Sequence, residues 1–252
     1  MKNITLISDW KLKDPYVAML KGKLVSNIPD VHIFDITHAI DLFNIEQTAF
    51  ILKNSFTAFP EQSVHLILTG NSLSKNIFPV LVEYQNHYFI GEDSGIFSLM
   101  FGTKTPLKAW QYNSSDLSSD FPDKMIEMTK QLFNNKIKEI ATEYTHFKRK
   151  IKLEPYYSSL EKKITGRIAY IDTFCNAVTD IPIAMFKEAN QNNQFKATVS
   201  STKHIQITKY HDFYNPQEEE VFFVFNRLGF LEITMYQGNI AVLGDLKMGD
   251  AV

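Results

Sequence analysis

The chain has 252 residues, 44% of them hydrophobic, which is enough for one large domain or two smaller ones with packed cores. Its net charge of −2 and its pI of about 6.4 exclude the basic excess that is typical of nucleic-acid-binding proteins. A single cysteine, Cys175, excludes an intramolecular disulfide and a cysteine-rich zinc site.

The sequence shows neither a signal peptide nor a membrane span. The first apolar run, Ile4–Ile7, is too short for the hydrophobic region of a signal peptide, and Asp9 follows it closely. No apolar run approaches the roughly 20 residues that cross a bilayer. We therefore expect a soluble cytoplasmic protein without a membrane or nucleic-acid partner.

A strand, a loop and a helix are the first predicted elements. The run Ile4–Ile7 has the length of a strand. Asp14 and Pro15 are typical of a helix N-cap and a first helical position. The loop places the carboxylate of Asp9 after the first strand, where open α/β sheets bind their ligands. One helical face then repeats every four residues through Tyr16, Leu20, Leu24 and Ile28.

Strands and helices alternate as far as residue 144, which is typical of an α/β domain. We assign this domain, with a mostly parallel sheet and flanking helices, to residues 1–150. The charged stretch 146–163 has no sustained hydrophobic period, and we place a linker at residues 151–165. The predicted strands are 31–37, 64–68, 80–84 and 87–90, and the predicted helices are 44–59 and 124–144.

Residues 166–252 have a different texture. Short β-branched or aromatic runs alternate with Asn, Gly, Pro and Asp, which predicts a small all-β domain, a barrel or a sandwich. The runs are 167–171, 195–199, 203–210, 221–225, 230–236 and 240–243.

Five segments resemble, in order, the motifs of the S-adenosylmethionine hydroxide adenosyltransferases, a family related to the fluorinases and chlorinases. This resemblance implies an α/β domain followed by a β-barrel domain. It also implies a homotrimer that binds S-adenosylmethionine between the first domain of one subunit and the second domain of the next. The segments are SDWKLKDPY (8–16), FDITHAI (34–40), HYFIGEDSGIFS (87–98), IDTFCNAVTDI (171–181) and FNRLGFLEITMYQGNIA (225–241).

The resemblance also implies a set of substrate-binding residues. Asp9 matches the carboxylate that holds the ribose hydroxyls, and Asp172 matches the partner of the methionine ammonium group. Arg227 stands where the family has Ser and resembles the residue that fluorinases place near the methionine carboxylate. Taken alone, the acidic residues are equally typical of turns. The full set is Asp9, Asp172, Phe174, Asn176, Asn226 and Arg227.

The family's catalytic residues do not match. The family displaces the sulfur from the ribose C5′ of S-adenosylmethionine with water, using an Asp, an Arg and a His. The corresponding positions here are Gly70, Ile77 and, in a looser alignment, Pro122. No Asp, Glu or Arg lies between the third strand and Val82 to replace them. Two serines and a lysine in this stretch are weak substitutes for a carboxylate that activates water. These substitutes are Ser72, Ser74 and Lys75.

We therefore expect a protein that binds S-adenosylmethionine or adenosine, with weak or lost hydrolase activity. One alternative is an active S-adenosylmethionine hydrolase or adenosyltransferase with non-standard catalytic residues. Another is a structural trimer without a nucleoside ligand. We expect no cofactor and no metal, because His38 and His65 have no second His or Cys at ligand spacing.

Overall fold

The computed structural model describes residues 2–70, 77–102, 108–113, 119–151, 153–190, 194–214 and 220–252. Within the structure the chain divides into two compact units, Met1–Ile151 and Lys152–Val252.

A seven-stranded sheet lies at the centre of the first unit, counted over the described ranges. Its strands are β1 (Lys2–Ser8), β2 (Val31–Thr37), β3 (Val64–Leu68), β4 (Val80–Tyr84), β5 (His87–Gly91), β6 (Lys108–Tyr112) and β7 (Ala141–Glu143). They are ordered β2-β1-β3-β5-β4-β6-β7. In this spatial order the first four strands, from β2 to β5, are parallel to one another. Each of the last three, from β4 to β7, is antiparallel to the strand before it.

Helices cover both faces of this sheet. They are α1 (Tyr16–Asn27), α2 (Ile45–Lys53), α3 (Ile96–Phe101) and α4 (Phe121–Phe133), with 3₁₀ turns at Phe56–Ala58 and Ile137–Glu139. Leu24 of α1 and Met125 of α4 belong to one apolar cluster, while Ala49 of α2 and Phe97 of α3 belong to another. The two helix pairs therefore pack on opposite faces of the sheet.

Strand β3 shows why the sheet is buried on both sides. All five of its residues are buried. Val64, Leu66 and Leu68 point into the cluster with α1 and α4, and Ile67 points into the cluster with α2 and α3. A strand between two helix layers needs apolar residues on both faces, so its sequence is a continuous apolar run.

The order of the strands creates a crevice at the carboxyl ends of the central strands. Strand β2 lies on one side of β1 and strand β3 on the other. Helices α1 and α2, which follow β1 and β2, pack on opposite faces. The carboxyl ends of β1 and β3 therefore flank a topological switch point, where α/β sheets bind ligands.

Three predictions for the helices of this unit are wrong. The helix predicted at 44–59 ends at Lys53, and a separate 3₁₀ turn follows at Phe56–Ala58. The helix predicted at 124–144 ends at Phe133, because Asn134 caps it and Asn135 has a left-handed φ of 58°. The chain then forms the second 3₁₀ turn and β7. Asp14 does not cap α1: Pro15 occupies that position, and no side chain accepts a hydrogen bond there.

The second unit is rich in strands. This confirms the prediction that an α/β domain is followed by a β-rich domain. Its five-stranded sheet has the order β10-β11-β16-β15-β14, and two-stranded sheets pair β12 with β13 and β8 with β9, within the described ranges. The strands are β8 (Tyr156–Ser158), β9 (Lys163–Thr165), β10 (Ile168–Ile171), β11 (Ala177–Pro182), β12 (Ala197–Val199), β13 (Thr202–Ile207), β14 (Tyr210–His211), β15 (Phe222–Phe225) and β16 (Phe230–Thr234).

The second unit also contains helices that the sequence pattern did not predict. They are α5 (Ile183–Ala189) and α6 (Ile240–Leu243). The strand predicted at 240–243 is thus a helix, because the side chain of Asn239 accepts a hydrogen bond from the backbone N–H of Val242 and caps it. The segment predicted as a linker, 151–165, contains the β8–β9 hairpin.

No helix in the described parts of the chain combines the length and apolar character that a membrane crossing needs.

Candidate functional site

The carboxylate of Asp9 lies at the switch point and is held there by backbone groups. Asp9 follows β1 directly and is only 4% exposed. Its Oδ2 accepts hydrogen bonds from the backbone N–H of Phe43 at 2.8 Å and of Gly70 at 3.3 Å. Among the described residues no donor reaches Oδ1. One oxygen therefore fixes the side chain and the other remains available to a ligand.

The loop that carries Asp9 is anchored on the loop after β2. Ser8 Oγ lies 2.6 Å from His38 Nδ1 and accepts a hydrogen bond from the backbone N–H of Trp10 at 3.3 Å. The backbone N–H of Lys11 donates to the carbonyl of His38 at 2.8 Å. Ser8 is fully buried and His38 nearly so. These polar residues therefore orient the Asp9 loop and do not present a serine nucleophile.

A cavity of about 520 Å³ opens beside Asp9. This volume falls within the range of small-molecule sites. Aromatic and aliphatic side chains form much of its lining, and charged groups are spaced among them. The lining includes Trp10, Tyr16, Met19, Lys23, Leu42, Phe43, Gly70, Asp120 and Pro122. The cavity therefore combines one fixed carboxylate with flat apolar surfaces.

The three residues that the sequence analysis aligned with the family's catalytic positions place no polar side chain in this cavity. Gly70 lines it with a φ of +100°. Ile77 is partly buried against the apolar cluster under α1 and α4. Pro122 lines the cavity from the first turn of α4. The substitutes considered from sequence, Ser72, Ser74 and Lys75, lie outside the described residues.

An ion pair lies at the edge of the cavity. Lys23 Nζ is 2.6 Å from Asp123 Oδ1, and both side chains are about two-fifths exposed, at 42% and 39%. The hydrogen bond with Asp123 raises the pKa of Lys23. Asp123 is thus engaged by a cation from α1 and is a weak candidate for a base.

The other predicted site residues meet in a pocket of the second unit. This pocket has a volume of about 880 Å³. Its lining includes Asp172, Phe174, Asn176, Asn226 and Arg227 together with Asp212, Phe213, Tyr214 and Glu232. Every predicted binding residue after Asp9 therefore lies in one pocket, although their positions in the sequence span two motifs.

Asp172 organises the turn between β10 and β11. Its Oδ1 accepts hydrogen bonds from the backbone N–H groups of Phe174 at 2.9 Å and Asn176 at 2.8 Å. Cys175 takes a left-handed φ of 60°, which completes the turn. Phe174 is left 78% exposed above the pocket. Asp172 is therefore a turn former and also places its carboxylate in the pocket.

Glu232 is a site residue that the sequence analysis missed. It lies on β16 and lines this pocket together with Asn176 and Asn226. Burial first, and the charge of Asp172 second, raise the pKa of Glu232. The signal available was the alternation of the FLEIT strand, which places Glu232 on one face between the buried Leu231 and Ile233.

The two pockets differ in chemistry. The first offers the backbone-anchored carboxylate of Asp9 beside aromatic side chains, with Asp14 and Asp120 also in its lining. The second offers the carboxylates of Asp172 and Glu232 with the exposed guanidinium of Arg227, which suits a ligand that carries both an ammonium and a carboxylate. Within the described ranges, no three His, Cys, Asp or Glu side chains cluster as a metal site would require.

Sequence comparison assigns both units to one family. Residues 4–136 match the profile of the SAM hydroxide adenosyltransferase N-terminal domain, and residues 166–252 match that of the C-terminal domain. A parallel-sheet unit with a carboxylate at its switch point, followed by a strand-rich unit, is consistent with this pairing. The chain belongs to the SAM hydroxide adenosyltransferase family.

Two curated relatives share part of the sequence. The chain is 30% identical over 100 residues to the (R)-S-adenosyl-L-methionine hydrolase of Methanocaldococcus jannaschii, which covers 38% of each protein. It is 27% identical over 112 residues to the protein of the same name from Thermus thermophilus, covering 44% of this chain and 43% of that one. The chain therefore matches about two-fifths of the length of these relatives.

Solved structures share the fold over nearly the whole length. An uncharacterised conserved protein from Thermotoga maritima superposes with a TM-score of 0.84 at 19% identity, covering 98% of both chains. A conserved hypothetical protein from Thermus thermophilus gives 0.75 at 19% identity, covering 100% of this chain and 98% of that one. These similarities establish the fold alone.

Proposed function

We propose that this protein binds S-adenosylmethionine or adenosine and hydrolyses S-adenosylmethionine weakly or not at all. The observation that carries the proposal is the Asp9 carboxylate, fixed through Oδ2 at the switch point and open at Oδ1. The open Oδ1 has two lone pairs and can accept two hydrogen bonds, which suits the vicinal hydroxyls of a ribose. The aromatic lining beside it, with Trp10 and Phe43, suits a purine ring.

The second pocket fits the amino-acid end of the same ligand. Asp172 and Glu232 supply negative charge for an ammonium group, and Arg227 supplies a guanidinium for a carboxylate. Adenosine lacks this end. The proposal therefore predicts that the second pocket discriminates S-adenosylmethionine from adenosine, whereas the first pocket binds both.

The proposed assembly is a homotrimer. Its support is the family's arrangement, in which the first domain of one subunit and the second domain of the next share each ligand. A monomer would then hold half of each site. Light scattering at micromolar concentration tests this directly, and a stable monomer would contradict it.

Weak hydrolysis follows from the residues at the three catalytic positions. The leaving thioether of S-adenosylmethionine is neutral and needs no acid, so catalysis depends on orienting water behind C5′ and removing its proton. Gly70, Ile77 and Pro122 supply neither a base nor a cation for this step. The alternative of an active hydrolase with other catalytic residues requires a carboxylate from elsewhere in the fold. The alternative of a trimer without a ligand is disfavoured because the binding residues are retained.

Calorimetry with adenosine and with S-adenosylmethionine tests the proposal. Asp9→Asn keeps the shape and an acceptor for the backbone N–H groups but removes the charge, so adenosine affinity should fall by about tenfold or more, since hydrogen bonds to charged groups contribute roughly 1.5–3 kcal/mol. Asp30→Asn is a matched control, because Asp30 precedes β2 at the opposite end of the strands. Equal affinities for the wild type and Asp9→Asn, or no binding by the wild type, would overturn the proposal.

A further inference from the structure

Three parallel strands bring one more carboxylate to the switch-point edge. Asp9 follows β1, Gly70 follows β3 by two residues, and Glu92 follows β5 directly. These strands are neighbours in the order β1-β3-β5. The carboxyl ends of parallel neighbours meet at one edge of the sheet, so residues far apart in sequence lie together there.

Glu92 points toward the position of the family's missing aspartate. A Cβ built on Gly70 would lie 3.9 Å from Glu92 Oε2. Gly70 lines the cavity and donates its N–H to Asp9. The Glu92 carboxylate therefore lies within a side-chain length of the place where an aspartate at position 70 would begin.

The close approach of β5 to β3 makes this placement possible. A Cβ on Gly91 would lie 2.9 Å from Cβ of Ile67, a distance that side chains do not tolerate. Glycine at position 91 lets the two strand ends pack tightly. Glu92, the next residue, is consequently carried close to the loop after β3.

The surroundings of Glu92 suit a proton acceptor. Burial is the main cause that raises the pKa of Glu92, Lys148 opposes it, and the neighbouring Asp93 adds to it. Asp93 is itself fixed, because the hydroxyl of Tyr144 donates to its Oδ2 at 2.8 Å and the backbone N–H of Lys148 donates at 2.7 Å. The charged groups that act on Glu92 are thus Lys148 and Asp93.

We propose that Glu92 takes the place of the aspartate missing at position 70 and acts as the general base for residual hydrolysis of S-adenosylmethionine. In this step the water oxygen bonds to C5′, the C5′–S bond breaks, and its electron pair stays on sulfur as neutral methionine. The proton leaves the water for the Glu92 carboxylate and then passes to solvent. The products are adenosine and methionine. This inference rests on the proposed ligand binding.

The experiment measures single-turnover release of adenosine from S-adenosylmethionine, with adenosine affinity determined in parallel by calorimetry. Glu92→Gln should lower the rate by about 10²-fold or more, the usual contribution of a general base. Adenosine affinity should stay within about twofold, since the base is not a ribose ligand in this proposal. Glu83→Gln is the control, because Glu83 lies on β4, paired with Lys108. Thermal unfolding checks that each variant folds.

The pH profile adds a readout that a structural role would not change. The rate of the wild type should rise with pH through an apparent pKa above that of an ordinary glutamate, because only the ionised carboxylate accepts a proton. Lys148→Met removes the opposing cation and should move this apparent pKa upward.

The outcomes separate the two proposals. Binding with a rate loss in Glu92→Gln supports the role of Glu92. Binding with an unchanged rate, or with no turnover by the wild type, overturns that role and leaves the proposed ligand binding in place. Absence of binding by the wild type overturns the proposed function and this inference together.

Discussion

The side-chain nitrogen of Asn176 lies 3.3 Å from Oδ2 of Asp172, while the Oδ1 of the same amide accepts a 2.7 Å hydrogen bond from Thr234 Oγ1. The second hydrogen bond fixes which way the amide points, so its NH₂ group faces the carboxylates of the second pocket. Glu232 lines the same pocket, and burial first and the charge of Asp172 second raise its pKa. The amide of Asn176 therefore orients Asp172 in a pocket that also contains a second acidic side chain.

The first prediction concerns Glu232. Glu232→Gln should weaken binding of S-adenosylmethionine about tenfold, because the ammonium group loses one of two charged partners. Binding of adenosine, which has no ammonium, should be unchanged. Calorimetry with both ligands gives the ratio, and Glu188→Gln on the exposed surface of α5 is a control. An equal loss for both ligands would show that Glu232 only maintains the fold.

The second prediction concerns the buried histidines of the first unit. His65 is fully buried, with Nδ1 2.7 Å from Thr5 Oγ1 and Nε2 3.1 Å from His87 Nδ1. Burial first, and the charge of His87 second, lower the pKa of His65 from 6.5 to about 3. The unfolded chain therefore binds a proton more readily than the folded one throughout that interval. Stability should fall as the pH drops, by about 1.4 kcal/mol per pH unit.

Urea unfolding at about pH 6 and about pH 4, both inside this interval, measures this slope. His65→Gln removes the titrating group and should flatten the slope, although it also costs packing against Phe89. His32→Gln, at an exposed position on β2, should leave the slope as it is. A slope in His65→Gln as steep as that of the wild type would assign the acid sensitivity to other groups.

The third prediction concerns restoring the family residue at position 70. Gly70 has a φ of +100°, which residues with a side chain rarely adopt. Gly70→Ala and Gly70→Asp should both cost about 1–3 kcal/mol of unfolding free energy. In the aspartate variant the new side chain would also extend toward Oε2 of Glu92. We therefore expect Gly70→Asp with Ile77→Arg to restore little activity unless Glu92 is also replaced. A stable, fully active double variant would contradict this.

The fourth prediction concerns the hydrogen bond between the hydroxyl of Tyr144 and the carboxylate of Asp93. Tyr144→Phe removes the hydroxyl that donates to Asp93 Oδ2 and should cost about 1.5–3 kcal/mol, since the acceptor is charged and buried. Tyr156→Phe, at a residue 58% exposed, is the control and should have little effect. Thermal unfolding compares the two. If Tyr144→Phe is no less stable than the control, the contact contributes nothing to folding.

The sequence predicted the parts of the fold that depend on local patterns. A largely apolar run identified β3, and helical spacing identified α1 and the middle of α4, although α4 begins at Phe121 and not at the predicted residue 124. The end of α4 was missed because Asn134 and Asn135 interrupt a periodic pattern that continues beyond them. The four-residue run at 240–243 is compatible with a strand or a helix, and only the cap by Asn239 decides it.

The candidate site was predictable only where a motif marks it. Asp9 and Asp172 stand in motifs, and their backbone hydrogen bonds account for those positions. The proximity of Glu92 to Gly70 was not predicted, because it depends on the order of the strands, which no local pattern contains. A search confined to the neighbourhood of position 70 in sequence finds no acid, whereas the adjacent strand supplies one.

The crevice beside Asp9 has a consequence for how such a protein changes over time. Its walls are set by the topology of the sheet. Strands β2 and β3 lie on opposite sides of β1, and helices α1 and α2 cover opposite faces. Substitutions at positions 70, 77 or 122 do not change this topology. The shape of the crevice therefore does not depend on the residues at these three positions. Substitutions there that abolish a reaction would leave the binding site in place, and such a site could acquire a different function during evolution.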